Sequence, residues 1–318
     1  MIEAKSLVEA TSDFHNELEQ LCGGIRNAFE ARDFDFLEDS ALKFIESKAL
    51  LDDGSWSITR FHEALGRRPG RSEPQFQADL QILKEWETEF PNSLTAKVAK
   101  IDFLTDYAWF ARGGGYSNTV TDEGWKLMGE RLMEAWKIIQ TAVDHEGKNP
   151  YLYEIAIKVA MGLSVDARIY SELLTMSREN FPGYYPIEVR RAYSLLPRWH
   201  GSEGDWEHFA DEASDAAGDL GPEVYARIIM NQKRFYGDVF RDSAVEWEKA
   251  KVGLLSLNKK YPEAVEIQNF TAFLAVQGRD RELASEYFDK LGDQYVKKVW
   301  SKPERFVHYR TWAKTGRW

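Results

Sequence analysis

The sequence predicts an all-α protein built from stacked antiparallel helix pairs, and three observations carry that expectation. Apolar residues recur three and four apart over most of the chain, alternating β-branched runs that would make strands are missing, and prolines punctuate the second half at a nearly constant interval. The 318 residues carry 41 Lys and Arg against 52 Asp and Glu, a net charge of −11. A chain of this length can bury a sizeable core. The single cysteine, Cys22, excludes an internal disulfide and a cysteine-based zinc module. No apolar run approaches the ~20 residues a membrane-spanning helix needs. Met1 to Ser12 contains Glu3 and Glu9 and no apolar block, unlike a signal peptide. The expectation is a cytoplasmic protein, or a periplasmic one whose leader has been removed.

The elements follow in order. The first ~70 residues are less regular, with a turn at Ala31-Arg32-Asp33-Phe34 opening a helix through Leu37, Ala41 and Ile45, and loops at Asp52-Asp53-Gly54 and Arg67-Arg68-Pro69-Gly70-Arg71. A soft boundary near residue 72 therefore divides an N-terminal helical segment, 1–72, from a repeat region, 73–318, on which it packs. Phe76, Leu80, Leu83 and Phe90 form one helical stripe, and Leu94, Val98, Ile101 and Ala108 the next. Pro91 stops the first, and Asn92 or Ser93 caps the second. Thr119 or Thr121 opens a helix with Met128, Leu132, Ala135, Ile139 and Ala142 inward. Leu152, Ile155, Ala156, Val159 and Leu163 form another one-sided helix, Asp166 caps the one carrying Ile169, Leu173 and Leu174, and Tyr185, Val189, Ala192 and Leu196 carry the one after Phe181-Pro182-Gly183.

Pro182, Pro222, Pro262 and Pro303 then follow at intervals of 40, 40 and 41 residues. The last three are each followed by Glu, which suits proline at the first helical position with a carboxylate on the helix N-terminus. Two stripes fit each interval: Val224, Ile228 and Ile229 with Ala244, Trp247 and Leu254, then Val265, Phe270 and Phe273 with Ala284, Tyr287 and Leu291. A two-helix unit of this length implies a tetratricopeptide-like α-solenoid. Gln277-Gly278-Arg279-Asp280 reads as the turn inside one such unit, matching the turn at Arg32-Asp33.

Two segments carry a family resemblance. Ala108-Trp109-Phe110-Ala111-Arg112-Gly113, with Tyr116, Val120, Trp125 and Arg131-Leu132, and Leu195-Leu196-Pro197-Arg198-Trp199-His200-Gly201-Ser202 resemble an uncharacterised bacterial family of tetratricopeptide-like helical proteins, a domain of unknown function. The resemblance spans about residues 80 to 290 and implies a helical-repeat fold without implying an activity. His200 stands where that motif usually has glycine.

Composition and motifs narrow the chemistry. Eleven Trp, 14 Tyr and 18 Phe make the chain 14% aromatic, which packing between helix layers explains before ligand stacking does. His200, Glu203, Asp205, Glu207 and His208 are rich in metal-ligand types, but the two histidines lack the i, i+4 spacing of helical zinc sites. Gly113-Gly114-Gly115 lacks the Lys-Ser/Thr ending of a phosphate loop and reads as a helix stop. No nucleophile elbow is present, and no catalytic constellation or cofactor motif emerges. From Glu203 to Glu223 there are eight acids and no Lys or Arg, and Glu207, Asp211 and Asp215 form an acidic ridge opposite Trp206, Phe209 and Ala213. Between Tyr295 and Trp318 seven basic residues stand against one acid among Trp300, Phe306, Tyr309, Trp312 and Trp318. A capping helix on the last repeat explains this segment better than nucleic-acid contact, because the rest of an acidic chain repels polyanions.

The expected function is a non-catalytic scaffold holding a protein or peptide partner, a basic one where the acidic ridge is the contact, with neither nucleic acid nor membrane insertion. The expected partner-binding residues are Tyr107, Trp109, Arg112, Tyr116, Arg131, Tyr184, Arg198 and Trp199 near the two motifs, with Glu207, Asp211 and Asp215 on the ridge. Three alternatives are an immunity or inhibitor protein capping a basic toxin through that ridge, a metal-dependent hydrolase using His200, Glu207 and His208, and a glycan or small-molecule binder using the tryptophans.

Overall fold

The computed structural model describes residues 7–9, 13–66, 70–115, 117–145 and 148–317. Among them lie seventeen α-helices and a single pair of two-residue strands, so the fold is all-α. The N-terminal segment is more regular than its sequence suggests: α1 (Asp13–Ala31) and α2 (Phe34–Glu46) form a hairpin, and α3 (Ser57–Gly66) packs on both. Next come α4 (Glu73–Glu89), α5 (Leu94–Arg112), α6 (Asp122–Ala142) and α7 (Pro150–Leu163), each lying against its successor. They are followed by α8 (Ala167–Asn180), α9 (Pro186–Ser194), α10 (Asp205–Ala216) and α11 (Gly221–Gln232). A short α12 (Val239–Asp242) leads to α13 (Trp247–Lys260), α14 (Val265–Gln277) and α15 (Arg281–Leu291). The chain ends with α16 (Lys297–Trp300) and α17 (Pro303–Thr315). Helices α5, α7, α9 and α11 touch one another in series, and α3 lies against α5 and α7.

Short-range chemistry sets most helix ends. Proline disfavours the helical region for the residue before it, and Phe90, Phe181 and Tyr261 end α4, α8 and α13 with nearly identical backbone angles, φ −121°, −134° and −127° and ψ 68°, 68° and 67°. In each case the last N–H still bonds the carbonyl four residues back. The turns at Arg32-Asp33 and Arg279-Asp280 also match. Each arginine is left-handed, with φ 63° and 62°, and each aspartate caps the following helix by accepting from Phe36 N or Leu283 N. Ser93, Thr121 and Asp166 cap α5, α6 and α8. Two expectations need correction. Pro222 and Pro303 do begin helices, but Pro262 lies in the turn before α14. Ala244 is exposed in a non-helical stretch, and the inward stripe there is Val245, Ala250, Leu254 and Leu257.

One hydrophobic core runs from Ile25 to Ala313. Trp86, Trp206 and Trp300 are wholly buried within it, which accounts for much of the aromatic content by packing. The basic C-terminal segment buries Trp300, Phe306 and Trp312, and α17 packs on α15. Its cations meet acids from neighbouring elements: Lys298 with Glu266, Arg310 with Asp293 and Lys314 with Asp289. Strand β1 (Val8–Glu9) pairs in parallel with β2 (Gln294–Tyr295), so the start of the described chain lies beside the C-terminal helices. No described helix is long and apolar enough to cross a membrane.

Candidate functional site

The loop between α2 and α3 closes on itself through a Leu50–Trp56 bridge and is pinned to the inner helices. Arg227 of α11 donates to the Asp53 carbonyl at 2.9 Å while its guanidinium lies 4.2 Å from the Tyr185 ring. Gly54 makes this contact possible: its φ is +72°, and a Cβ there would strike the Tyr261 ring and the Arg227 guanidinium. Tyr184 anchors the same region from below, its hydroxyl 2.7 Å from Thr59 Oγ1 and donating to Glu154 Oε2 at 2.9 Å.

Between this N-terminal segment and α9, α11 and α14 runs a groove. Two cavities of about 250 and about 220 Å³ share Arg60, Tyr185, Val189, Asn231, Arg234 and Lys298 as walls. A third, of about 220 Å³, continues past Tyr185 and Arg227 toward Trp56 and Tyr261. The first two are lined by the cations Arg60, Arg190, Arg227, Lys233, Arg234 and Lys298 and by the acids Asp53, Glu63, Glu154 and Glu266. Arg60 donates to Glu63 at 2.8 Å, Arg190 to Glu154 at 3.0 Å and Lys298 to Glu266 at 2.7 Å. Arg190 Nε and Asn231 Oδ1 are buried with no partner, one lacking an acceptor and the other a donor. The groove is thus net positive in a protein of charge −11, and two polar atoms of residues in its walls are left without hydrogen bonds.

The two sequence motifs meet beside this groove. Trp109 and Trp199 pack edge to face at 5.5 Å, Tyr193 packs on Trp199 at 5.9 Å, and Tyr193 also forms a groove wall. Arg112 lies over Trp109 and Trp125, and Arg198 over Trp199 and Phe235. The indole N–H groups of Trp109 and Trp199 are buried without partners. Arg112 also donates to the carbonyls of Gly113 and Gly115, so it holds the glycine turn by its acceptors, and Gly113 ends α5 with φ +76°. Arg131 donates to the Tyr107 carbonyl at 2.7 Å, and the Tyr107 hydroxyl bonds Glu73. Tyr107, Arg131 and Tyr184 therefore tie helices together. Tyr116 lies outside the described residues.

The acidic ridge is not as expected. Glu207 is only 6% exposed with one carboxylate oxygen unpartnered, and burial raises its pKa. Asp211 pairs with Lys249 at 2.9 Å and Asp215 is exposed, so two of the three acids face outward. Glu207 is covered by the non-helical segment around Ala244, whose backbone bonds its carboxylate. The proposed metal set also separates: His200 Nε2 is 2.6 Å from the Met161 carbonyl, Glu207 is buried and His208 exposed. Among the described residues no three His, Cys, Asp or Glu side chains converge as metal ligands.

Sequence reasoning missed the groove cations. The one local signal was Arg227, Asn231 and Arg234, which share a face opposite Ile228 and Ile229. No family model, curated protein or solved structure matches the chain.

Behind the groove lie two buried groups with opposed titrations. Asp102 is held protonated up to about 7 by burial and by Asp106, against 3.8 ordinarily, so its contribution to stability falls as pH rises through that window. His62, stacked on Tyr151, accepts from Asn149 Nδ2 at 3.0 Å and is kept neutral down to about 3 by burial. Unfolded, it takes up a proton near 6.5, so its contribution rises with pH. Between about pH 4 and 6.5 the two slopes oppose each other. Urea unfolding across that range is expected to show Asp102→Asn gaining stability with pH relative to wild type by up to ~1.4 kcal/mol per unit, and His62→Gln losing it. Parallel pH profiles for all three proteins would contradict this assignment.

Proposed function

We propose that the chain is a non-catalytic binding scaffold, a tetratricopeptide-like stack of helix pairs that holds an extended, acid-containing peptide segment of a protein partner in the groove. The groove itself carries this reading: it is open, continuous over three cavities and net cationic, with tyrosines and unpartnered polar atoms between the charges. A short acidic segment can enter it, while the field of the whole acidic protein disfavours a long polyanion. The repeated aromatic-proline and Arg-Asp turns support the stacked-pair reading, and membership in the helical family of unknown function belongs to the same proposal.

Fluorescence anisotropy with acidic, neutral and basic peptides of equal length tests it. The acidic peptides are expected to bind best, with affinity falling as salt rises. Arg234→Gln combined with Lys298→Gln is expected to weaken them about tenfold, and both side chains are exposed, so the core is untouched. Equal affinity for all three classes, no binding by any of them, or undiminished binding by the double variant would overturn the reading.

A further inference from the structure

We propose that Lys233 is an imine-forming amine in the wall of the groove, where it captures a small aldehyde or ketone that bears an anionic group. This goes beyond peptide binding and does not depend on it.

Lys233 begins the 3-10 turn that follows α11, and its side chain is directed into the body of the protein, 7% exposed. Its Nζ lies 4.0 Å from the centre of the Phe273 ring and 5.4 Å from that of Phe270, both on α14. The amine donates to the Val299 carbonyl at 2.5 Å and has no carboxylate partner. Lys298 and Arg305 press positive charge on it from α16 and α17, and Glu266, the acid that faces it, is engaged by Lys298. Burial and these cations bring the Lys233 ammonium down to about 7, so a large fraction is neutral amine at physiological pH. Desolvation and cationic neighbours are the two devices that make a lysine nucleophilic. Lys233 also lines a cavity of about 220 Å³ together with Arg227, Arg234 and Lys298, which are placed to hold the anionic group.

The chemistry needs no other reactant. The Nζ lone pair adds to the carbonyl carbon, and the carbonyl oxygen takes up the proton that nitrogen loses, giving a carbinolamine. Loss of that hydroxyl with a proton as water leaves the C=N bond, and water reverses both steps.

Pyridoxal 5′-phosphate followed by borohydride reduction and peptide mapping provides the test. Lys233 is expected to be labelled ahead of the surface lysines, at a rate that rises through about pH 7 and then levels off, whereas surface lysines keep gaining to about pH 10. Pyridoxal, which lacks the phosphate, is expected to label Lys233 more slowly, and Lys233→Arg to lose the fast phase of imine absorbance. Labelling of Lys233 no faster than the surface lysines, or not at all in the folded protein, would overturn the proposal. Equal rates with and without the phosphate would overturn its anionic part.

Discussion

Trp300→Ala is expected to lower the unfolding free energy by about 4 kcal/mol, the largest single effect among the substitutions considered. Trp300 has no exposed surface and packs against Phe273, Phe288, Phe306 and Tyr309 at 5.2, 5.6, 5.1 and 5.6 Å. Its indole N–H donates to Asn269 Oδ1 at 2.6 Å, and the same oxygen accepts from Val296 N at 3.2 Å. Alanine therefore leaves a void among four aromatic rings and removes one donor from a buried amide. Rings of that size cannot collapse into the space without leaving their rotamers. Trp300→Phe separates the two causes: most of the packing is kept and the cost is expected to fall to about 1–2 kcal/mol, mainly the lost hydrogen bond. Trp125→Ala is the control, since Trp125 is 41% exposed, and a change within about 0.5 kcal/mol is expected. Chemical denaturation of the three variants checks the order. A cost for Trp300→Ala no larger than that for Trp125→Ala would show that α16 and α17 are not docked on α14 and α15 as described.

The docking of these last helices also shows what sequence can reveal. Caps and stops act within about four residues, and they were legible. Pro91, Pro182 and Pro262 disfavour a helical conformation one residue earlier, and Phe90, Phe181 and Tyr261 all adopt the same alternative. Asp33 and Asp280 each offer a carboxylate to an N–H three residues on, and the two turns are superimposable in their angles. The error over Pro262 has the same local origin. Proline is equally suited to a turn after a helix and to the first helical position, and the glutamate that follows does not distinguish the two.

What could not be read was long-range. The ridge pattern Glu207, Asp211, Asp215 correctly placed three acids on successive turns, but whether a turn is covered depends on the neighbouring element. Glu207 lies against the segment around Ala244, which periodicity wrongly made helical. The groove draws Arg60, Arg190, Arg227 and Lys298 from α3, α9, α11 and α16, so no window of sequence contains it. Tyr185 and Val189 were expected inward from their spacing. They do lie on that side of α9, but they meet the groove there and remain half-buried. An apolar stripe tells which face of a helix is turned inward and not whether a protein core or a cavity awaits it.

Glu154→Ala is the second large effect expected, at about 3 kcal/mol. Glu154 sits on α7 nearly out of solvent, accepting from Tyr184 through one oxygen and from Arg190 through the other. Its removal leaves the Arg190 guanidinium, whose Nε already lacks an acceptor, without its carboxylate, and leaves the buried Tyr184 hydroxyl with Thr59 alone. Arg190 keeps a quarter of its side chain exposed, which places the cost at the lower end of the range for breaking a buried pair. A pair on the open surface would instead contribute below about 1 kcal/mol. A double-mutant cycle with Arg190→Ala decides between these cases. A coupling above about 1.5 kcal/mol is expected if Glu154 and Arg190 form one unit with Tyr184, and independent additive costs would contradict it. The same cycle bears on the groove. Glu154 holds Arg190 in its wall and, through Tyr184 and Thr59, holds α3 against α7 and α9, so its loss is expected to weaken acidic-peptide binding even though the variant gains net positive charge. Tighter binding by Glu154→Ala would mean that charge alone governs the groove and that the position of Arg190 does not.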